Sequence, residues 1–479
     1  MKRTFVNTSQ RSTADSLIGS CLSFPENTFI PLPKHALEVI NLLEAEGYET
    51  WIIGGYVRDF LLGEISPDID IATAAHWQTT KDLLKNTGFT IKETGIKHGT
   101  ITALRDCFSC EITTFRKEGV YGDYRHPDSV IFVDTIDEDV FRRDFTINTL
   151  AYHPERGLLN LCGGLEDLQE KQIRCVGNSI DRFTEDPLRI MRALRFCAQT
   201  GFALEENTEK GAHALKELLN HVAPERIQAE FTKMLCGPYI EQTLNTYVDI
   251  LGIIIPELLL MKGFSQQSKW HHLDILEHTA RTVSLTKPIP LNRWAALFHD
   301  IGKPETFTLD EKQVGHMTGH PSLGALVAKK YGTKLRFSKK MAHNLELLVQ
   351  HHETRPIPTK KSIRKLYNKL ENDEQLFRTM LDLMTADAKA HAPWCVEEIV
   401  SRLATIEALF TAMIEEEAVF SVKDLPIKGD DLLALGIPQG PQIGNVLHEL
   451  LDEVYQERIP CERRALLEYA KHFRPHFFD

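Results

Sequence analysis

Strand-like runs early in the chain and helical patterns after them predict an α+β protein: a small mixed-sheet head followed by an all-helical remainder. Three observations carry this. β-rich runs separated by turn residues are confined to the stretch before Cys175, apolar residues at helical spacing take over after it, and 479 residues are too many for one core. With 42% hydrophobic and 25% charged residues the composition is that of an ordinary folded chain. The formal net charge of −12 excludes a generic basic coat for nucleic acid, so any phosphate-backbone contact has to be local. The nine cysteines are odd in number and scattered, without the spacing of a disulfide framework, which predicts a reducing compartment. Cys107 and Cys110 form a CxxC, read here as two small residues of a hairpin. No apolar run reaches the ~18 residues of a membrane span and no signal pattern opens the chain, so a cytoplasmic location is expected.

Residues 1–30 are polar and rich in Ser and Thr, and read as an extension. The head is expected over 31–175: a helix at Ala36–Glu46, a strand at Glu49–Ile53, the pair Gly54-Gly55, and a helix reaching Leu62-Gly63. Strands follow at Asp68–Ala72, Gly99–Leu104, Glu111–Phe115 and Val130–Val133. Leu188, Met191 and Leu194 at helical spacing open a helical neck and body over 176–262. A joint at Gly263–Gln267 leads into a histidine-rich domain over 263–390, and a helical tail over 391–479 carries a Gly/Pro turn cluster near 436–444.

Asp68 and Asp70, at i and i+2 of a strand-like segment, emerge from one sheet face and can share an ion. Upstream, the strand, Gly54-Gly55, helix order lets backbone amides approach a triphosphate. Glu111, on a strand of its own, completes a set of hard oxygen ligands suited to two Mg²⁺ if the strands are neighbours. Two such ions ~3.5–4 Å apart would activate an attacking hydroxyl and stabilise a pyrophosphate leaving group.

At this point the sequence resembles the bacterial class II tRNA nucleotidyltransferases and their relatives, the bacterial poly(A) polymerases. Gly54-Gly55-Tyr56-Val57-Arg58-Asp59 with Asp68-Ile69-Asp70 resembles the family's first motif, and Arg142-Arg143-Asp144-Phe145-Thr146-Ile147-Asn148 its second. Glu185-Asp186-Pro187-Leu188-Arg189-Ile190-Met191-Arg192 and Glu225-Arg226-Ile227-Gln228-Ala229-Glu230 continue it, over roughly residues 30–240. The resemblance implies addition or repair of the 3′-terminal CCA of tRNA from CTP and ATP without a nucleic-acid template. It implies nucleotide-binding roles for Gly54, Gly55, Arg58, Asp59, Asn148 and Arg192. Arg142 and Arg143 would steady phosphates, and Asp144 would read the ribose hydroxyl. Asp186 and Arg189, three apart on a helix starting near Glu185, would serve as the protein template for C and A. The segment from Arg116 through Arg125 to Pro127 resembles the flexible loop needed to switch from CTP to ATP, which favours complete CCA addition over CC alone. Addition of A only, and poly(A) synthesis, stay as alternatives; the acidic balance speaks against the second.

His278, the pair His299-Asp300 and Asp387 follow the order of the HD phosphohydrolase superfamily, with Ile301-Gly302 extending it to HDIG. This resemblance implies a divalent transition metal, with His320 and His351 or His352 for a second ion, and hydrolysis of phosphate esters. Uridylylating regulators and guanosine-polyphosphate enzymes combine similar domains, but with extra modules or in another order. Candidate tRNA contacts are Lys360 and Lys361 with Arg364, and the turn around Gly440, whose following helix amides could cap a phosphate.

Overall fold

The computed structural model describes residues 28–119, 128–268, 270–416, 422–455 and 458–473. It divides into two compact units, Met1–Met234 and Leu235–Asp479.

In the first unit α1 (Lys34–Ala45) buries Ala36, Val39, Ile40 and Leu43, the i, i+3, i+4, i+7 stripe of an amphipathic helix. β1 (Thr50–Ile53) is wholly buried and runs through Gly54 into α2 (Gly55–Leu61). Then come β2 (Ile69–Thr73), α3 (Trp77–Asn86), β3 (Thr90–Gly95), β4 (Thr100–Arg105) and β5 (Phe108–Thr114). β6 (Arg116–Glu118) pairs with β7 (Val130–Phe132) as a separate antiparallel ribbon, followed by α4 (Ile136–Val140). β8 (Ala151–His153) and β9 (Gly157–Leu159) complete a seven-stranded sheet of order β3-β4-β5-β2-β1-β8-β9. The β2–β5 pair is parallel and its neighbours are antiparallel, so the sheet is mixed, as expected. Trp51, Phe115, Ile136, Val140, Ala151 and Leu159 form a core cluster of this unit.

The helical part of this unit is α5 (Gly164–Glu170), α6 (Ser179–Glu185), α7 (Leu188–Thr200), α8 (Glu206–Leu215) and α9 (Pro224–Leu235). It is interrupted by the two-residue parallel pair β10 (Gln172–Ile173) and β11 (Ala203–Leu204).

The second unit begins with α10 (Ile240–Leu251), α11 (Glu257–Met261), α12 (Ile275–Leu285), α13 (Pro290–Phe298) and α14 (Lys303–Thr306). A small hairpin, β12 (Thr308–Leu309) with β13 (Gly315–His316), precedes α15 (His320–Lys334), α16 (Lys339–His351), α17 (Lys360–Lys369), α18 (Glu374–Ala390) and α19 (Pro393–Glu415). The last helices are α20 (Gly429–Ala434), α21 (Pro441–Tyr455) and α22 (Arg463–Ala470). Trp294 and Phe298 stack at 5.7 Å inside this bundle, and Leu432, Leu450 and Leu466 centre a separate small core near its end.

The remainder is mostly helical as expected, but β11, β12 and β13 lie beyond Cys175, where no strand was read. Two-residue strands are too short to show alternation. Strands β3, β6, β8, β9 and β10 were also missed: β3 is mostly exposed and polar, β6, β8 and β9 are three residues each and β10 is two, so none alternates legibly. Asp106, at φ 53°, makes the tight turn between β4 and β5, with Cys107 beside it exposed and Cys110 buried on β5.

Candidate functional site

Strand register creates the acidic centre of the head. Asp70 on β2 stands opposite Glu111 on β5 and opposite Ile53 on β1, the residue before Gly54. Directly paired residues share a sheet face, so Asp70 and Glu111 project together, and Asp68, two residues earlier, adds its charge. Burial pushes the Asp70 carboxyl up to about 6; Arg143 opposes this, while Glu111 and Asp68 add to it. A half-buried Asp70 flanked by the exposed carboxylates of Glu111 and Asp68 suits hard divalent cations, and the donor set fits Mg²⁺.

Gly54 has φ 83°, and a Cβ built there would lie 3.6 Å from Asp70 Oδ2 and 3.8 Å from Arg143 Nη1. The turn, the acid and the guanidinium therefore meet at one place. Gly54→Ala is expected to cost ~1–2 kcal/mol of stability through the left-handed backbone, and to lower nucleotide incorporation by shifting the turn that lies against Asp70 and Arg143; thermal unfolding and a primer-extension assay measure the two effects.

Arg58 is buried, donates to Asn148 Oδ1 at 2.6 Å, pairs with Asp59 at 2.6 Å and lies over the Phe196 ring at 4.9 Å. Asp144 accepts from Asn148 Nδ2 at 3.0 Å, from the Phe145 amide at 2.8 Å and from Arg192 Nε at 2.8 Å. It is fully desolvated, yet Arg192 and Asn148 hold its carboxyl far below the usual carboxylate range. Sequence reading missed Asp139, which is wholly buried beneath Arg142 and Arg143 and takes 2.7 Å and 3.1 Å ion pairs from them. Its i, i+3 and i+4 spacing to the two arginines was the available signal.

Asp186 corrects an expectation. It does not share a helix with Arg189: α6 ends at Glu185, α7 begins at Leu188, and Asp186 lies between them at φ −143°, ψ 97°. Pro187 causes the break, since a residue before proline is driven out of the helical region. Arg189 pairs with Glu185 at 2.6 Å, and Arg226 grips both oxygens of Asp186 at 3.2 Å and 2.8 Å. Arg226 was quoted within a motif without a role. Of the residues expected in a flexible loop, Arg116 instead opens strand β6, opposite Phe132 of β7, and pairs with Glu118 at 2.8 Å, while Arg125 lies outside the described residues.

The second unit brings its histidines into two triads, His278, His299 and Asp387, and Asp300, His320 and His352, with ligand atoms within 4.8 Å of one another in each. Asp300 links them. Its Oδ2 lies 3.2 Å from His299 Nε2 and 3.5 Å from His278 Nε2, and its Oδ1 lies 3.4 Å from His320 Nε2. Each Nδ1 faces a backbone carbonyl: Ala390 at 3.3 Å from His278, Ala296 at 2.7 Å from His299, Met317 at 2.8 Å from His320 and Val349 at 2.8 Å from His352. A donating Nδ1–H leaves Nε2 as an inward lone pair, the arrangement that prepares imidazole for a metal. His320 Nε2 and His352 Nε2 then oppose each other at 3.2 Å, which a cation between them reconciles. Burial works against charge on both His299 and His278; Asp300 and Asp387 outweigh it at His299 and hold its imidazole up at about 10, whereas burial prevails at His278 and lowers its imidazole. His352 takes the position in this group; His351, the alternative at the end of α16, is outside it.

Among the proposed RNA contacts, Lys360 pairs with Glu416 at 3.6 Å and Lys361 with Asp452 at 3.7 Å. Arg364 is buried and stacks over Tyr455 at 4.6 Å, so its place is in the core of the bundle and not on an RNA-facing surface. Gly440, at φ 143°, precedes α21. Lys361, Lys365, His448 and Arg458 line an open cavity of about 900 Å³.

Residues 50–174 match the Poly A polymerase head domain family, residues 201–259 the RNA- and SrmB-binding site of polymerase A, and residues 328–470 tRNA nucleotidyltransferase domain 2. His278, His299, Asp300 and His320 fall between the last two matches. A CCA-adding enzyme of Leuconostoc mesenteroides is 32% identical over 449 residues, covering 92% of this chain and 98% of that protein. One from Bacillus cytotoxicus is 30% identical over 434 residues, covering 90% and 96%. The crystal structure of the Bacillus stearothermophilus CCA-adding enzyme in complex with CTP shares the fold, with a TM-score of 0.69 at 24% identity over 92% of this chain and 97% of that one. No helix among the described residues is long and apolar enough to cross a membrane.

Proposed function

We propose that this chain, which belongs to the family of bacterial CCA-adding enzymes, completes and repairs the 3′-terminal CCA of tRNA from CTP and ATP without a nucleic-acid template. The observation that carries the reading is the meeting of Asp70 and Arg143 at the Gly54 turn, with Glu111 paired opposite Asp70 and Asp68 adding its charge nearby. In the reaction the terminal RNA hydroxyl attacks the α-phosphorus of the nucleotide, and pyrophosphate departs. Asp68, Asp70 and Glu111 would hold Mg²⁺, which supplies Lewis-acid stabilisation of the phosphates.

The chain's own side chains do the selecting. Arg143, braced by Asp139, offers its guanidinium to the phosphates, with Arg142 braced beside it. Asp144, fixed by Arg192 and Asn148 and kept ionised, accepts the ribose hydroxyl and so selects ribonucleotides. Asp186 and Arg189 read the base edge, with Arg226 positioning the Asp186 carboxylate across the Pro187 break. The 116–127 segment supplies the switch from CTP to ATP. In the second unit the cavity lined by Lys361, Lys365, Lys423 and Arg458, with Glu449, Asp452 and Glu453 between them, is where the tRNA backbone would compete for the lysines and arginine.

Incubating the protein with tRNAs that end before C74, before C75 and before A76, together with CTP and ATP, and sequencing the products tests this. Restoration of CCA on all three is expected. Addition of A only to tRNA ending in CC removes C addition from the reading, and long A tracts on unrelated RNA indicate a poly(A) polymerase.

A second activity has its own support in the four histidines whose Nε2 lone pairs point inward around Asp300. His278, His299, Asp387, Asp300, His320 and His352 would hold divalent transition metal, which supplies a hydroxide nucleophile for phosphate-ester hydrolysis. Release of inorganic phosphate from phosphomonoesters by the metal-loaded protein, and its loss on chelation, is the corresponding assay.

A further inference from the structure

One buried ring stands behind the contacts that fix Asp144. Phe196, on α7, is 3% exposed. The guanidinium carbons of Arg195, Arg58 and Arg192 lie 4.4, 4.9 and 5.7 Å from its centroid. Phe145 meets the same ring edge-on, at 5.6 Å and 82°. Two of these cations are the ones that hold Asp144: Arg192 donates to Oδ2 through Nε at 2.8 Å, and Arg58 grips Asn148, whose Nδ2 donates to Oδ1 at 3.0 Å. The Phe145 amide adds a 2.8 Å bond to Oδ1. Arg192 and Phe196 are four apart on one helix and share a face, and Arg58 reaches the ring from α2.

Three guanidiniums drawn this close together repel one another, and burial with the neighbouring Arg192 pulls Arg195 down to about 10. Each has a carboxylate: Asp59 at 2.6 Å for Arg58, Asp144 for Arg192, and Glu230 at 3.0 Å for Arg195. An aromatic face carries partial negative charge, so the Phe196 ring offers all three cations a further attraction that an aliphatic side chain of similar size lacks. That attraction is directional. It fixes where the guanidiniums of Arg58 and Arg192 lie, and they fix where the Asp144 carboxylate lies.

We propose that Phe196 is a positioning residue for sugar selection: its ring holds Arg192 and Arg58 in the places from which they aim Asp144 at the ribose 2′-hydroxyl of the incoming nucleotide. This rests on the reading of Asp144 as the ribose acceptor and adds the group that sets how sharply it discriminates. A carboxylate out of line loses its bond to the hydroxyl, which penalises the ribonucleotide and leaves a deoxyribonucleotide untouched. A side chain that merely filled space would weaken both nucleotides alike.

The test measures kcat/KM for CTP and for dCTP on tRNA ending before C75. It compares the full-length protein, Phe196→Leu, and a series of unchanged ring shape in which position 196 carries 4-fluoro-, 3,5-difluoro- or 3,4,5-trifluorophenylalanine, whose faces are progressively less negative. Phe196→Leu is expected to lower kcat/KM for CTP about 5- to 50-fold and for dCTP less than about twofold. The fluorinated series should lower the ratio of CTP to dCTP stepwise, with the melting temperature and the KM for tRNA close to those of the wild type. A ratio that stays at the wild-type value across the fluorinated series overturns the proposal, and so does an equal fall for the two nucleotides. If Phe196→Leu does not fold, the fluorinated proteins decide. Asp144→Asn, compared by equilibrium binding of CTP and dCTP, separates the two readings. Loss of the preference for CTP in Asp144→Asn with none in the Phe196 series leaves the ribose acceptor standing and removes the positioning role. A preference that survives in Asp144→Asn removes both.

Discussion

Asp70→Asn is expected to lower CMP and AMP incorporation at tRNA 3′ ends by at least about a thousandfold, because losing one shared carboxylate removes several kcal/mol of transition-state stabilisation. The same substitution separates chemistry from folding. The Asp70 carboxyl is raised from 3.8 to about 6 in the folded protein. Between those values the native state therefore holds a proton that the unfolded chain has released, and stability from this group falls as pH rises from about 4 to about 6, the loss being complete above that. Asn has no such loss. Metal-free Asp70→Asn should therefore melt no lower than the wild type at pH 7, with the advantage vanishing near pH 4. Since Mg²⁺ competes with the same proton, its apparent affinity in the wild type should weaken as pH drops below about 6. Full incorporation by Asp70→Asn under saturating Mg²⁺ would place the chemistry elsewhere in the head.

Asp300→Asn is expected to reduce bound transition metal at least about tenfold and to abolish phosphate-ester hydrolysis, because one carboxylate faces three of the four histidines at 3.2–3.5 Å. Burial opposes its ionisation, yet His299 and Lys303 hold it well below the usual carboxylate range. Removing its charge leaves the Lys303 ammonium uncompensated in a buried site, at a cost of ~3–5 kcal/mol. Asp387→Asn, which keeps the Lys303 pair, is the milder companion and should also lose metal. CCA addition by both variants should persist, since the acids proposed to carry it belong to the other unit. Metal content measured by mass spectrometry and equal to that of the wild type would remove the cluster from metal chemistry.

How much of this was legible in the sequence follows from the range of each interaction. Asp70 was readable as a strand residue because alternation fixes a face locally, whereas Asp68, expected on the same strand, lies just before it, since β2 begins at Ile69. That Glu111 stands beside Asp70 depends on β2 and β5 pairing in parallel across some forty residues of chain, which no local pattern encodes. The Asp186 position was misread because helical spacing was counted through Pro187, whose effect on its predecessor was the better guide. His351 and His352 could not be separated by sequence, since the choice depends on the helical phase in which α16 ends. Arg364 looked like part of a basic cluster, yet its guanidinium packs on Tyr455, ninety-one residues away in the chain.

The sheet register also dictates where the gene can tolerate length changes. With Ile53 on one side of Asp70 and Glu111 on the other, sliding β2 by a single position would trade its acid for the buried Ile69 or Ile71 and drive charge into hydrocarbon. Codons cannot be gained or lost within β1, β2 or β5 without breaking the register that sets Asp70 beside Glu111. The hairpin tip at Asp106-Cys107 is exposed and touches no acid of the centre, so inserted residues there should leave catalysis intact.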